Sequence, residues 1–215
     1  MKQVEKLILL DFDGTVLDST NAWSNVYQSY CKEYKIAMSE QICISHSNMP
    51  FTEWIKVIIA KHKLTQDAKT LILIFNEIAK GVYNKILPKS GFAEFIQYCQ
   101  TSKSKTIIVS REEPDLIKYY LKHYQILGIS AVFQDNFKNR TRITFYGEVA
   151  KIFDLKIQNL ALIDDSLSHC TPAKQAGAFI AGMNDNHSVE RQYQMRLICD
   201  LYVNDFKPLI NLWTY

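Results

Sequence analysis

What the chain lacks narrows it first. Its five cysteines (Cys31, Cys43, Cys99, Cys170 and Cys199) are scattered, odd in number and never spaced Cys-x-x-Cys. That excludes a disulfide framework and a thiolate zinc site, and it points to reduced thiols in a cytoplasmic compartment. No apolar run approaches the roughly 20 residues of a membrane-spanning helix. No N-terminal apolar segment with a small-residue cleavage site is visible either. The net charge of +3, from 25 basic and 22 acidic residues, is too small to argue for nucleic acid, and no basic run is interleaved with aromatics. Internal repeats and segments of disordered composition are absent. What remains is a chain of 215 residues, 47% hydrophobic and 22% charged, enough for one good-sized domain or a core with a smaller insert.

The most informative stretch is Leu7-Ile8-Leu9-Leu10-Asp11-Phe12-Asp13-Gly14-Thr15-Val16-Leu17-Asp18-Ser19. Four aliphatic residues in a row read as a strand buried on both faces. Residues i and i+2 of an extended chain share a side, so Asp11 and Asp13 crowd together at the strand's end. Like charges that close raise each other's pKa unless a cation lies between them, and a hard divalent ion such as Mg²⁺ resolves the conflict. Asp-Gly is also the strongest short hairpin signal. Taken alone, the segment fits a hairpin equally well, and partners elsewhere decide.

Along the chain, apolar spacing predicts helices over Asn21–Ile36, Phe51–Lys61 and Gln66–Tyr83, with no convincing strand between residues 19 and 86. Leu87-Pro88-Lys89-Ser90-Gly91 is a turn-rich joint that returns from this insert. Beyond it the reading alternates: helix Phe92–Cys99, strand Lys105–Ser110, helix Pro114–Tyr124, strand Ala131–Phe133, helix Gly147–Leu155, strand Leu160–Asp165, helix Thr171–Gly177, strand Ala178–Ala181, and a sixth strand over Leu201–Val203. Apolar strands alternating with helices imply an α/β fold, a Rossmann-like parallel sheet covered on both faces. The expected organisation is a core of residues 1–18 and 87–215 with a small all-helical cap, residues 19–86, inserted after the first strand.

In such a sheet, ligands bind beyond the carboxyl ends of the strands, where the strand order reverses. Three of the buried strands finish there in polar groups: Asp11 and Asp13, Ser110-Arg111, and Asp164-Asp165. Four carboxylates at one end of a sheet are expensive to bury unpaired. A shared metal makes them coherent and argues against the hairpin.

Asp-Phe-Asp-Gly-Thr-Val-Leu-Asp-Ser closely resembles the first signature of the haloacid dehalogenase superfamily, within it the phosphoglycolate-phosphatase-like hydrolases. The resemblance implies a HAD-like core with a helical cap, and Mg²⁺-dependent hydrolysis of a small phosphomonoester. It makes Asp11 the nucleophile that forms an aspartyl-phosphate and Asp13 the general acid/base. It also brings the carbonyl of Phe12 to the metal. Ser110 matches the phosphate-binding Ser or Thr that closes the second strand; a helix cap before Pro114 is its other reading. Arg111 stands where a small residue is usual and reads as a substrate contact or a surface charge.

The family's third element is a basic residue about two dozen positions before the last acidic motif. Arg142 fits, 23 residues before Asp165, while Lys151 lies only 14 before it. Lys138 and Arg140 are the remaining candidates. Leu162-Ile163-Asp164-Asp165-Ser166 resembles the double-aspartate form of the fourth motif. Asp11, Asp13, Asp164 and Asp165 are therefore the expected metal set, with Asp165 the direct ligand and Asp164 ordering the metal's waters or the basic residue. Many relatives carry another acid a few residues on, where this chain has His169 and Cys170; His169 reads as a surface or capping histidine. Trp23, His46, Trp54 and Lys56 of the insert suit a site lining, and cap core or plain surface equally well. The expected partner is a small phosphorylated metabolite, with neither nucleic acid nor membrane. Three rival readings remain: a sugar-phosphate mutase, a phosphonate hydrolase that would need a cap lysine, and a non-catalytic phosphate- or partner-binding module of the same fold.

Overall fold

A computed structural model describes residues 6–19, 22–33, 51–65, 67–135, 139–186 and 188–210, with the backbone alone for Trp23 and residues 51–54. His46 and Lys138, and the side chains of Trp23 and Trp54, lie outside the described residues. The chain forms two compact units, Met1–Thr20 with Leu87–Tyr215, and Asn21–Ile86.

The first unit is built on six strands: β1 (Lys6–Leu10), β2 (Ser104–Ser110), β3 (Ile129–Gln134), β4 (Leu160–Asp164), β5 (Phe179–Met183) and β6 (Leu201–Val203). All neighbours pair in parallel, in the order β3-β2-β1-β4-β5-β6. β1 therefore sits at the point where the strand order reverses, between β2 and β4. β1 has no antiparallel partner, and Asp13 bridges Leu17 in parallel fashion, so the Asp-Gly pair turns the chain without making a hairpin.

Helices α4 (Phe92–Thr101), α5 (Pro114–His123), α6 (Ile143–Ile152), α7 (Leu167–Ala176) and α8 (Val189–Ile198) complete this unit. Leu7, Leu9, Leu160, Leu162 and Ile180 share a core with Tyr146 of α6, Cys170 and Ala173 of α7 and Met195 of α8. Because strand side chains alternate, Ile8 and Leu10 face the opposite layer. Each fully buried aliphatic side chain contributes about 1.5–3 kcal/mol.

Three helices differ from their sequence reading. α6 starts at Ile143, four residues earlier than expected, and α7 starts at Leu167, carrying Pro172 inside rather than at its first turn. α8 was unforeseen: of its residues only Met195 is buried, while Val189, Tyr193 and Leu197 face solvent, so no apolar stripe announces it.

The second unit contains α1 (Ala22–Glu33), α2 (Phe51–His62) and α3 (Ala68–Tyr83). Leu71, Phe75, Ala79 and Tyr83 make one buried stripe at four-residue spacing along α3. Asp67 caps it by accepting from the Thr70 N–H at 3.0 Å. The Phe75 ring packs against Tyr27 and Tyr30 of α1, centroids 5.2 and 4.8 Å apart.

Candidate active site

Register brings the acids together. Leu10 pairs with Ile163, and the Asp11 N–H continues the ladder by donating to the Ile163 carbonyl at 3.0 Å. The residues that follow, Asp11 and Asp164, therefore emerge at one level from adjacent strands. One carboxylate oxygen from each of Asp11, Asp164 and Asp165 lies within 4.8 Å of the others. Asp13, half-buried two residues along, is outside that group. β2 runs two residues past its Leu10↔Ile108 pairing, so Ser110 stands beside the loop that follows β1. Its Oγ accepts the Glu112 N–H at 3.2 Å, while α5 takes Glu113 as its N-cap residue, so Ser110 is not the helix cap.

The basic residue that reaches the acids is Arg140, not Arg142. The Arg140 side chain is 1% exposed and donates from one terminal nitrogen to Asp11 Oδ1 at 2.6 Å and to Asp164 Oδ2 at 3.0 Å. Its Nε donates to Asp135 Oδ2 at 2.9 Å. Arg142, at the N-cap of α6, is exposed and donates to Asn139 Oδ1. The turn ending at Ile143 directs one arginine inward and its neighbour-but-one outward. Lys151 lies on α6 in an exposed position, and Arg111 is exposed at the strand tip.

Three contributors escaped the sequence reading. Asp135, directly after β3, adds an acid from a third strand tip, its N–H donating to the Ser110 carbonyl at 2.6 Å. His169 is no surface or capping residue: its Nδ1 lies 3.0 Å from Asp164 Oδ2, with the side chain 15% exposed. Tyr146 Oη lies 2.8 Å from the Arg140 carbonyl and 3.0 Å from that of His169, its one proton shared between them. An acid after a short strand and a histidine four residues past Asp165 were the only signals available.

The carbonyl of Phe12 accepts from the N–H groups of Val16 and Leu17, at 2.8 and 3.2 Å, and so fastens the turn that follows β1. Gly14 closes that turn at φ +79°; a Cβ there would lie 2.8 Å from the Asp165 carboxyl, so glycine is required both by conformation and by contact. Thr15 Oγ1 donates to Asp165 Oδ1 at 3.3 Å, and the Gly14 N–H donates to Ser19 Oγ at 3.0 Å.

Electrostatics follows from this crowding. Burial, and then the charge of Asp164, push the Asp11 carboxyl up to about 8, against the pull of Arg140. Burial also raises Asp164, but His169 and Arg140 outweigh it and hold that carboxyl below its ordinary value. Both Asp164 oxygens already accept hydrogen bonds, from Arg140, His169 and the Ser166 N–H. Asp164 thus organises the basic groups, as the sequence suggests, while Asp165 accepts from the Thr15 hydroxyl. Negative charge on Asp11, still opposed by its neighbours, together with an all-oxygen donor set inside 4.8 Å, fits a hard divalent cation.

The chain matches the haloacid dehalogenase-like hydrolase family over residues 8–183. It belongs to that family. Solved structures agree with the fold. A HAD hydrolase of family IA, variant 3, from Entamoeba histolytica is 18% identical, covers 94% of each chain and superposes with a TM-score of 0.69. YfnB from Bacillus subtilis, a HAD protein solved with magnesium, is 13% identical over 98% of this chain and 99% of its own, TM-score 0.71. A HAD family hydrolase from Deinococcus radiodurans, with bound phosphate and sodium, is 14% identical over 98% and 95%, TM-score 0.62. No curated protein matches the chain.

Proposed function

We propose that this HAD hydrolase is a Mg²⁺-dependent phosphatase that cleaves a small phosphomonoester through a phosphoaspartate on Asp11. The observation that carries the reading is the meeting of Asp11, Asp164 and Asp165 with the buried Arg140 at the carboxyl end of a parallel sheet. Asp11 and Asp165 would hold the ion directly, with Asp164 beside them ordering Arg140 and the ion's waters; the ion supplies positive charge to the phosphoryl oxygens.

Arg140 occupies Asp11 Oδ1, which leaves Oδ2 to attack phosphorus. As the new O–P bond forms and the ester O–P bond breaks, Asp13 gives its proton to the leaving oxygen. The resulting carboxylate then takes a proton from water, which attacks phosphorus, releases phosphate and restores Asp11. Ser110 Oγ, fixed by accepting from Glu112, has its own proton to donate to a phosphoryl oxygen. Arg140, clamped by Asp135, balances the negative charge of the Asp11 carboxylate and of the phosphoryl group it receives. The helical unit of residues 21–86 is inserted in the chain after β1, the sequence position of the family's cap. The four described cysteines are free, in keeping with a reducing, cytoplasmic setting, and no described helix is long and apolar enough to cross a membrane.

The test is turnover of p-nitrophenyl phosphate by the full chain with Mg²⁺, without it, and in the Asp11→Asn variant. Asp11→Asn should lose activity by about 10³-fold or more without lowering the melting temperature. Free phosphate should match nitrophenol mole for mole; phosphoryl transfer to a second hydroxyl would make the protein a mutase. Undiminished turnover by Asp11→Asn would overturn the nucleophile.

A further inference from the structure

Lys89 belongs to the joint that leads back into the sheet unit, where sequence offers only a turn. Its side chain is 9% exposed, unusual for a lysine. Nζ donates to the Gly14 carbonyl at 2.5 Å and to the Asn184 carbonyl at 2.7 Å, and stands 3.6 Å from Asp185 Oδ1. Its own N–H donates to the Val16 carbonyl at 2.8 Å, so main chain and ammonium grip the same turn. Burial lowers the Lys89 pKa, while Asp185, Asp165 and Asp18 work to keep the ammonium charged.

The residue it grips is the one on which Asp165 rests. The Gly14 α-carbon abuts the carboxyls of Asp165 and Asp185, whose nearest oxygens lie 2.8 and 2.9 Å from where a Cβ would stand. Thr15, next in the chain, hydrogen-bonds Asp165. A shift of the Gly14 peptide must therefore move or release the Asp165 carboxylate. We infer that Lys89 is a positioning residue: by tying the carbonyls of Gly14 and Asn184 together it sets the place of Asp165 in the acid cluster, and through Asp165 the affinity for a divalent cation. This rests on the metal reading given above.

Charge and position pull in opposite directions here, which makes the inference decidable. Lys89→Met keeps most of the aliphatic stem and deletes a positive charge beside the acids. If charge alone mattered, cation binding would tighten. If Lys89 positions Asp165, binding should weaken by about 10- to 100-fold, as for other groups that orient metal ligands. The measurement is titration calorimetry of Mn²⁺ into the full chain, with a melting curve for each variant. Lys89→Arg keeps the charge but replaces the compact ammonium by a planar fork, and should also weaken Mn²⁺. In turnover assays the Mn²⁺ half-saturation should rise in both variants while KM for p-nitrophenyl phosphate at saturating Mn²⁺ holds. Parental or tighter Mn²⁺ affinity in Lys89→Met overturns the assignment. Should that variant not fold, parental affinity in Lys89→Arg overturns it. Failure of the unaltered chain to bind Mn²⁺ would instead remove the metal reading itself.

Discussion

The two units of the molecule solve the problem of burying polar side chains in opposite ways. In the sheet unit, Asp11, Asp135, Asp164 and Arg140 are buried with the strand tips and joined in one network, with Ser110 buried beside them. In the helical unit, the buried side chains among the described residues are aliphatic, aromatic or cysteine, and its described ion pair, Lys80–Glu77, lies on the surface. Strand pairing fixes Asp11 against Asp164 through backbone ladders that leave no freedom of register. The helices are fixed by side-chain packing, as at Phe75 between two tyrosines, which tolerates small readjustments. Chemistry demanding tenths of an ångström is housed where the backbone itself sets position.

The sharpest way to break that contrast is Arg140→Met. It strands Asp11, Asp135 and Asp164 without their common cation, and should cost about 3–5 kcal/mol in denaturant unfolding. Arg142→Ala, two residues on and exposed, should stay within about 0.5 kcal/mol. Similar losses in the two variants would mean that the network is dispensable. A milder probe lies in the other unit: Phe75→Leu, which loses both ring contacts, should cost about 1–2 kcal/mol. Mn²⁺ affinity of the folded variant should stay within about twofold of the parent, and a larger change would tie the two units together.

A separate probe of the sheet unit is pH in the metal-free protein. Asp11 is raised from 3.8 to about 8, so the folded chain keeps a proton that the unfolded chain loses above about pH 4. Stability must then fall as pH rises from about 4 to 8 and level off beyond. His169 acts with the same sign: raised by Asp164, it contributes fully below about 6.5 and loses that contribution as pH passes its folded value. With EDTA present, the melting temperature should drop by about 10 °C between pH 5 and 8. Asp11→Asn should remove most of the slope; an unchanged slope would assign it elsewhere.

Much of this was legible in the residues. Aliphatic runs ending in acids at Leu10-Asp11 and Ile163-Asp164 gave away both the strands and their shared tip, since a buried strand that ends in acids needs positive charge at its tip. Arg140 and Arg142 precede Asp165 by 25 and 23 residues, a difference that spacing cannot weigh. What separates them is which way one turn before α6 points, and that depends on Asp135 waiting at the next strand tip. Lys89 was hidden for a related reason: it acts through Gly14 and Asn184, 75 and 95 positions away, and carries no local pattern. His169 lies only five positions from Asp164, but which way its ring faces depends on how α7 leaves β4. α8 escaped because its apolar residues face outward.

Thr15 meets Asp165 across 150 positions, and Arg140 meets Asp11 across 129. During synthesis the N-terminal half of the site therefore leaves the ribosome long before its counterpart exists. Until residue 165 has emerged, the nascent Asp11 loop has nothing to close upon, so the meeting of these carboxylates becomes a report that β1 and β4 have paired.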